Sequence, residues 1–128
     1  MNYYISAKYQ GTFEEAIEKV TAELKKEGFG ILTEINVKET LKKKLDVDFK
    51  KYRILGPCNP GMAYQALKKE DKIGAMLPCN VIVEEHDDGT VEVSAVDPSA
   101  SMQAVDNERL TEIADQVRDL LKKVIKNM

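Results

Sequence analysis

The chain has 128 residues, 43% of them hydrophobic and 32% charged, with a formal net charge of −3. That length suits one domain, residues 1–128, which can bury a core without disulfide or metal staples. No apolar stretch approaches the ~18 to 20 residues that a membrane-spanning helix needs, and the acidic balance opposes the counterion release on which nucleic-acid binding depends.

The run Met1-Asn2-Tyr3-Tyr4-Ile5-Ser6 lacks a basic leader ahead of an apolar core, so a cytoplasmic protein is expected, with neither membrane nor nucleic acid as partner. The one basic run, Lys42-Lys43-Lys44 with Lys50-Lys51, is interleaved with Glu39, Asp46 and Asp48 and reads as a solvated face.

A first strand is expected from Tyr3 to Gln10, broken by Gly11. Thr12-Phe13-Glu14-Glu15 then spells a capping box, in which the Thr12 hydroxyl and the Glu15 side chain serve each other's backbone amides. The helix that follows sets Phe13, Ala16, Ile17, Val20 and Leu24 on one stripe and stops at Gly28. From Phe29 the period becomes two, placing Phe29, Ile31, Thr33, Ile35 and Val37 on one strand face. A short helix over residues 38–45 has only Leu41 and Leu45 as anchors and should be weakly held. Tyr52 to Leu55 is a brief strand ending at Gly56.

Asn59-Pro60 signals a helix start, because Asn can cap free amides and Pro at the first position gives up no hydrogen bond. That helix should run to about Lys69 with Met62, Ala63, Ala66 and Leu67 buried. Ala75 to Glu85 reads as the most apolar strand, interrupted by Pro78, which cannot donate to a ladder. Asp87-Asp88-Gly89 is a hairpin turn, and Val91, Val93 and Ala95 alternate on the returning strand. After a small-residue loop, Ser99 to Val105, Asp106 can cap a last helix with a broad stripe from Leu110 to Ile125. The expected fold class is α+β: about five strands in a mixed or antiparallel sheet, with the helices mainly on one face.

Both cysteines lie in the same tripeptide, Pro57-Cys58-Asn59 and Pro78-Cys79-Asn80. Together with Glu27-Gly28-Phe29-Gly30-Ile31-Leu32, Ile54 to Pro60, Met76 to Val81 and Val96-Asp97-Pro98, they make a series that resembles the family catalogued as domain of unknown function 302. The similarity covers nearly the whole chain in order. It implies a small prokaryotic α+β protein that forms a homodimer, and it names no activity.

Several chemistries fit the cysteines. Cys58 sits just outside a helix start, where the dipole favours a thiolate; Cys79 heads an apolar segment and should be more inert. The plain alternative is that both are small core residues. A disulfide between them would close a 22-residue loop worth roughly 3 kcal/mol of loop entropy, yet persistent bridges are uncommon in a reducing compartment. Met62, Met76 and Met102 flank the cysteines and could complete a soft-metal or haem site, although methionine is also a usual core filler. The single histidine, His86, reads as an exposed hairpin residue facing away from Cys79, so no zinc site is expected within the chain.

The resulting expectation is a non-enzymatic small-ligand or interaction domain. The resemblance suggests that three segments meet in a partly apolar pocket: Pro57, Cys58, Asn59 and Pro60; Pro78, Cys79 and Asn80; and Asp97 and Pro98 through Met102. The alternatives are a redox-active thiol pair, with Cys58 attacking and Cys79 resolving, and a soft-metal or haem carrier.

Overall fold

A computed structural model describes residues 2–128; Met1, the first residue of the N-terminal run Met1 to Ser6, lies outside them. Five strands form one antiparallel sheet in the order β1-β5-β4-β3-β2: β1 (Tyr4–Tyr9), β2 (Gly30–Asn36), β3 (Tyr52–Cys58), β4 (Val81–Glu85) and β5 (Val91–Val96). The expected α+β class is thus realised with every strand pair antiparallel.

Strand alternation sends Leu55, Val81, Val83, Val91, Val93 and Ala95 to one face, all of them buried. Two amphipathic helices cover that face, α1 (Phe13–Lys26) and α5 (Thr111–Lys126). They contribute Phe13, Ala16, Val20 and Leu24 from one helix and Leu121, Val124 and Ile125 from the other, all within one continuous core. The capping box starts α1 as expected, with Thr12 Oγ1 accepting from the Glu15 amide at 3.1 Å and Glu15 accepting from the Thr12 amide at 3.1 Å. Helix α2 (Val37–Leu45) leans on β2 and β3 without burying a residue, as its two poor anchors foretold; Leu45 stays exposed. Helix α3 (Pro60–Lys69) lies in the connection from β3 to β4, and a single turn, α4 (Pro98–Ser101), follows β5. Among the described residues no helix is long and apolar enough to cross a membrane.

Several expected boundaries move, each for a local reason. The strand read from Ala75 is helical at first, a 3₁₀ segment over Asp71–Met76, and extended pairing begins only at Val81. Ile73 explains this, since the 3₁₀ turn lets it bury against Ala66 and Leu110 in a second small core. The strand read as Tyr52–Leu55 instead continues to Cys58, because Ile31 and Gly30 pair with Pro57 and Cys58. On β2, a register shift between Ile31 and Thr33 turns Leu32 outward and breaks the single face expected from Phe29 to Val37. Val37 already belongs to α2, whose amide at Glu39 is capped by Asn36 at 3.0 Å. At the other end the Ser99–Val105 loop is helical at Pro98–Ser101 and Met102–Ala104. Asp106 caps nothing: Asn107 caps a 3₁₀ turn, Glu108–Leu110, that leads into α5.

Candidate functional site

The two cysteine segments line one cavity of about 210 Å³. One wall is the end of β3, where Pro57 is fully buried and Cys58 half-buried. Beside it lie Leu77, Pro78 and Cys79, with a cis peptide between Leu77 and Pro78. Met62, Ala63 and Ala66 of α3 close one side, and Leu110 with Ile113, Ala114 and Val117 of α5 form the floor. Phe29 and Leu32 from the start of β2, with Pro98 and Met102, complete the rim. Among the described residues that line it, the ionisable side chains are the two thiols.

Asn59 holds this arrangement at the join of β3 and α3. Its Oδ1 accepts from the Met62 amide at 3.3 Å, which caps the helix. Its Nδ2 donates to the Glu27 carbonyl at 3.5 Å. The chain passes close by at Gly28, whose φ of +86° is open to glycine and where a Cβ would lie 3.1 Å from Asn59 Nδ2. One side chain therefore fixes the helix start, the α1 exit and the cavity wall between them.

Burial pushes the Cys79 thiol up to about 11 from its ordinary 9.0, and the charge of a Cys58 thiolate adds to the shift. Each cysteine is a free thiol. Cys79 is thus a neutral lining group at physiological pH, as its place in an apolar segment led one to expect.

The profile of the family described as Domain of unknown function DUF302 matches residues 5–128. The chain belongs to this family. It is also similar to the uncharacterized conserved protein DUF302 from Bacillus stearothermophilus, known from a crystal structure. The two are 28% identical, the match covers 98% of each chain, and the TM-score is 0.92. No curated protein matches the sequence.

Of the ten residues singled out in sequence, six line the cavity of this DUF302 domain: Pro57, Cys58, Asn59, Pro78, Cys79 and Pro98, with Met102 as a seventh on its rim. Three do not. Pro60 is exposed at the first turn of α3. Asn80 is exposed and lines a groove on the opposite sheet face, its carbonyl accepting from the Val96 amide at 3.0 Å. Asp97 acts from behind, capping α4 through the Ser99 amide at 2.9 Å and so placing Pro98. Met76, considered as a soft ligand beside Met62 and Met102, is exposed outside the cavity, so the three thioethers do not converge.

The floor residues of α5 were visible in sequence only as part of an amphipathic stripe; their extra role is to cover a gap where β4 has not yet begun. Leu32 had no signal, because the β2 bulge that turns it carries no glycine or proline of its own. His86, expected as an exposed hairpin residue, is half-buried and pairs with Glu92, Nε2 to Oε1 at 2.8 Å. Glu84, beside it on β4, is mostly covered and pairs with Lys50 at 2.7 Å.

Proposed function

We propose that this domain is a small-ligand-binding module whose ligand, a compact and largely apolar molecule, occupies the cavity between the two cysteine segments. The observation that carries this reading is the lining: aliphatic, proline and methionine side chains around about 210 Å³ of space, with polarity confined to Asn59 and two thiols. Pockets for drug-sized ligands run to roughly 300–1,000 Å³, so the occupant is smaller than these. Both ends of the Asn59 amide already serve the backbone, which leaves shape and apolar burial as the main source of affinity.

The test is a titration with indole, cyclohexanol and octanoate, read from methyl signals of Met62, Ala63 and Met102 in heteronuclear spectra. Saturable shifts at these methyls, abolished by Ala63→Leu, are expected. Absence of shifts with all three probes at millimolar concentration would overturn the reading.

One observation favours a second reading, thiol redox chemistry: Cys58 and Cys79 line one cavity and the charge of one reaches the other. A Cys58 thiolate would attack hydrogen peroxide, releasing hydroxide and leaving a sulfenic acid; the Cys79 sulfur would then displace that hydroxyl, which leaves as water once the thiol proton is transferred. Intact mass after peroxide treatment should show the loss of two hydrogens, absent in Cys58→Ser. An unchanged mass removes this reading.

A second copy of the chain is the expected partner. Exposed Tyr3, Tyr4, Leu32 and Tyr64 supply apolar surface that a homodimer could cover. Sedimentation equilibrium decides this, a single-chain mass of 14.4 kDa excluding it.

A further inference from the structure

The sheet face turned away from α1 and α5 carries its own chemistry. We propose that Glu84, His86 and Glu92 form a divalent-cation site there, sharing no residue with the cysteine cavity.

Strand alternation brings the three together. Residues 82, 84 and 86 point to the open face along and just beyond β4, and Glu92 stands directly opposite Glu84 on β5. One donor atom from each of Glu84, His86 and Glu92 lies within 4.8 Å of the others. Two ligands of one ion, each about 2.1 Å from it, stand about 3 Å apart at near-octahedral angles, so small rotamer adjustments bring three such donors onto one centre. The His86 Nε2 to Glu92 Oε1 separation of 2.8 Å already has that scale.

Two further features are those of a prepared site. Like charges directly opposite on neighbouring strands are destabilising, and the Glu84–Glu92 pair is of this kind; a cation between them relieves it. The carboxylates are not loose surface groups either, with side-chain exposures of 14% for Glu84 and 28% for Glu92. The Ser6 hydroxyl donates to the second oxygen of Glu92, fixing that carboxylate from the neighbouring strand.

The surrounding cations compete with a metal. Lys50 Nζ binds Glu84 Oε1 at 2.7 Å, and Lys8 stands opposite Glu92 in the β1–β5 register. The Lys50 stem is flexible and its ammonium can leave, so this lysine works as a displaceable occupant. One imidazole and two carboxylates without a thiol suit hard to borderline ions such as Mn²⁺, Fe²⁺, Co²⁺ or Zn²⁺. Three protein donors leave coordination positions open toward the groove that contains Tyr3, Tyr4 and Tyr52.

Mn²⁺ is the probe of choice, because thiols compete poorly for it. In ¹⁵N-labelled full-length protein, Mn²⁺ should broaden the signals of Ser6, Glu84, His86 and Glu92 first and saturably. Glu92→Gln and His86→Ala should each weaken that affinity tenfold or more, with far-UV circular dichroism confirming the fold. Lys50→Gln should tighten it several-fold by removing the competing ammonium; a merely electrostatic, diffuse acidic surface would not single out this cluster. Broadening that fails to saturate, or that centres on Asp46 and Asp48 or on Asp87 and Asp88, overturns the proposal, as does unchanged affinity in all three variants.

Discussion

Gly56 of β3 lies so close to Thr33 of β2 that a Cβ built on Gly56 would stand 2.0 Å from the Thr33 hydroxyl oxygen. It would also stand 2.9 Å from Cγ of Pro78. The glycine is therefore a spacer: it lets two strands and the Pro78 wall of the cavity close onto one point.

Gly56→Ala should accordingly destabilise the domain by about 1–3 kcal/mol, the usual cost of forcing extra volume into a filled site. Urea denaturation measures it. Adding Thr33→Ala removes the nearer clash and should recover part of the loss, while the Pro78 contact keeps recovery incomplete. A neutral Gly56→Ala would show that strand separation at this point is soft.

Asn59→Ala should cost about 1 kcal/mol through loss of the α3 cap. Asn59→Asp separates the two functions of the side chain, since a carboxylate still accepts from the Met62 amide but cannot donate to the Glu27 carbonyl. The Asp variant should therefore keep most of the stability while loosening the α1 exit at Gly28, read as faster amide exchange there. Equal losses in both variants would place the main effect at Glu27 instead.

These two positions show what could be read from the chain and what could not. Asn59-Pro60 is a local signal: capping and ring geometry act within one turn, and the helix starts where the dipeptide says. The Gly56–Thr33 contact is nonlocal, set by a strand pairing that spans more than twenty residues, and nothing in the neighbouring sequence announces it. The same division explains the cavity. Its cysteine and proline walls stand out as unusual tripeptides, whereas its α5 floor uses the same isoleucine, alanine and valine that any core-facing helix would carry. Ala75-Met76 misleads because apolar residues favour burial without choosing strand over 3₁₀ turn, and the anchor at Ile73 decides the matter.

Asn107 ties the cavity floor to its side. Its Nδ2 donates to the Lys69 carbonyl at 2.9 Å and to Glu70 Oε1 at 3.0 Å, linking the end of α3 to the turn that leads into α5. Asn107→Ala should lower stability by about 1–2 kcal/mol, from one lost cap and the part-buried acceptors left behind. Hydrogen exchange should quicken at the α3 end and around Leu110 while the sheet stays protected. Uniform acceleration across the domain would instead indicate a global loss of stability without local opening.

Cys79 gives a dependence on pH with a definite sign. Its thiol titrates near 11 in the folded chain against an ordinary 9.0, chiefly because burial disfavours the thiolate. Below pH 9 both folded and unfolded chains hold the proton and the contribution is complete. Between the two values the unfolded chain releases its proton while the folded chain retains it, so stability falls as pH rises, by up to about 2–3 kcal/mol in total. Lys43 and Lys50, raised by their bonds to Glu39 and Glu84, lose stabilising charge in alkaline solution as well, so the wild-type slope alone is composite. The difference between wild type and Cys79→Ala isolates the thiol: the gap in urea-derived stability should be constant up to about pH 8.5 and shift in the variant's favour above pH 9. Alkylation by iodoacetamide supplies the kinetic counterpart, because only the thiolate reacts. Cys79 should be modified slowly at pH 8, with a rate that climbs through pH 10. A Cys79 that reacts at pH 8 as fast as a free thiol would mean that the cavity wall opens readily to solvent, and the apolar ligand proposed for that cavity would then lose the shelter on which its binding depends.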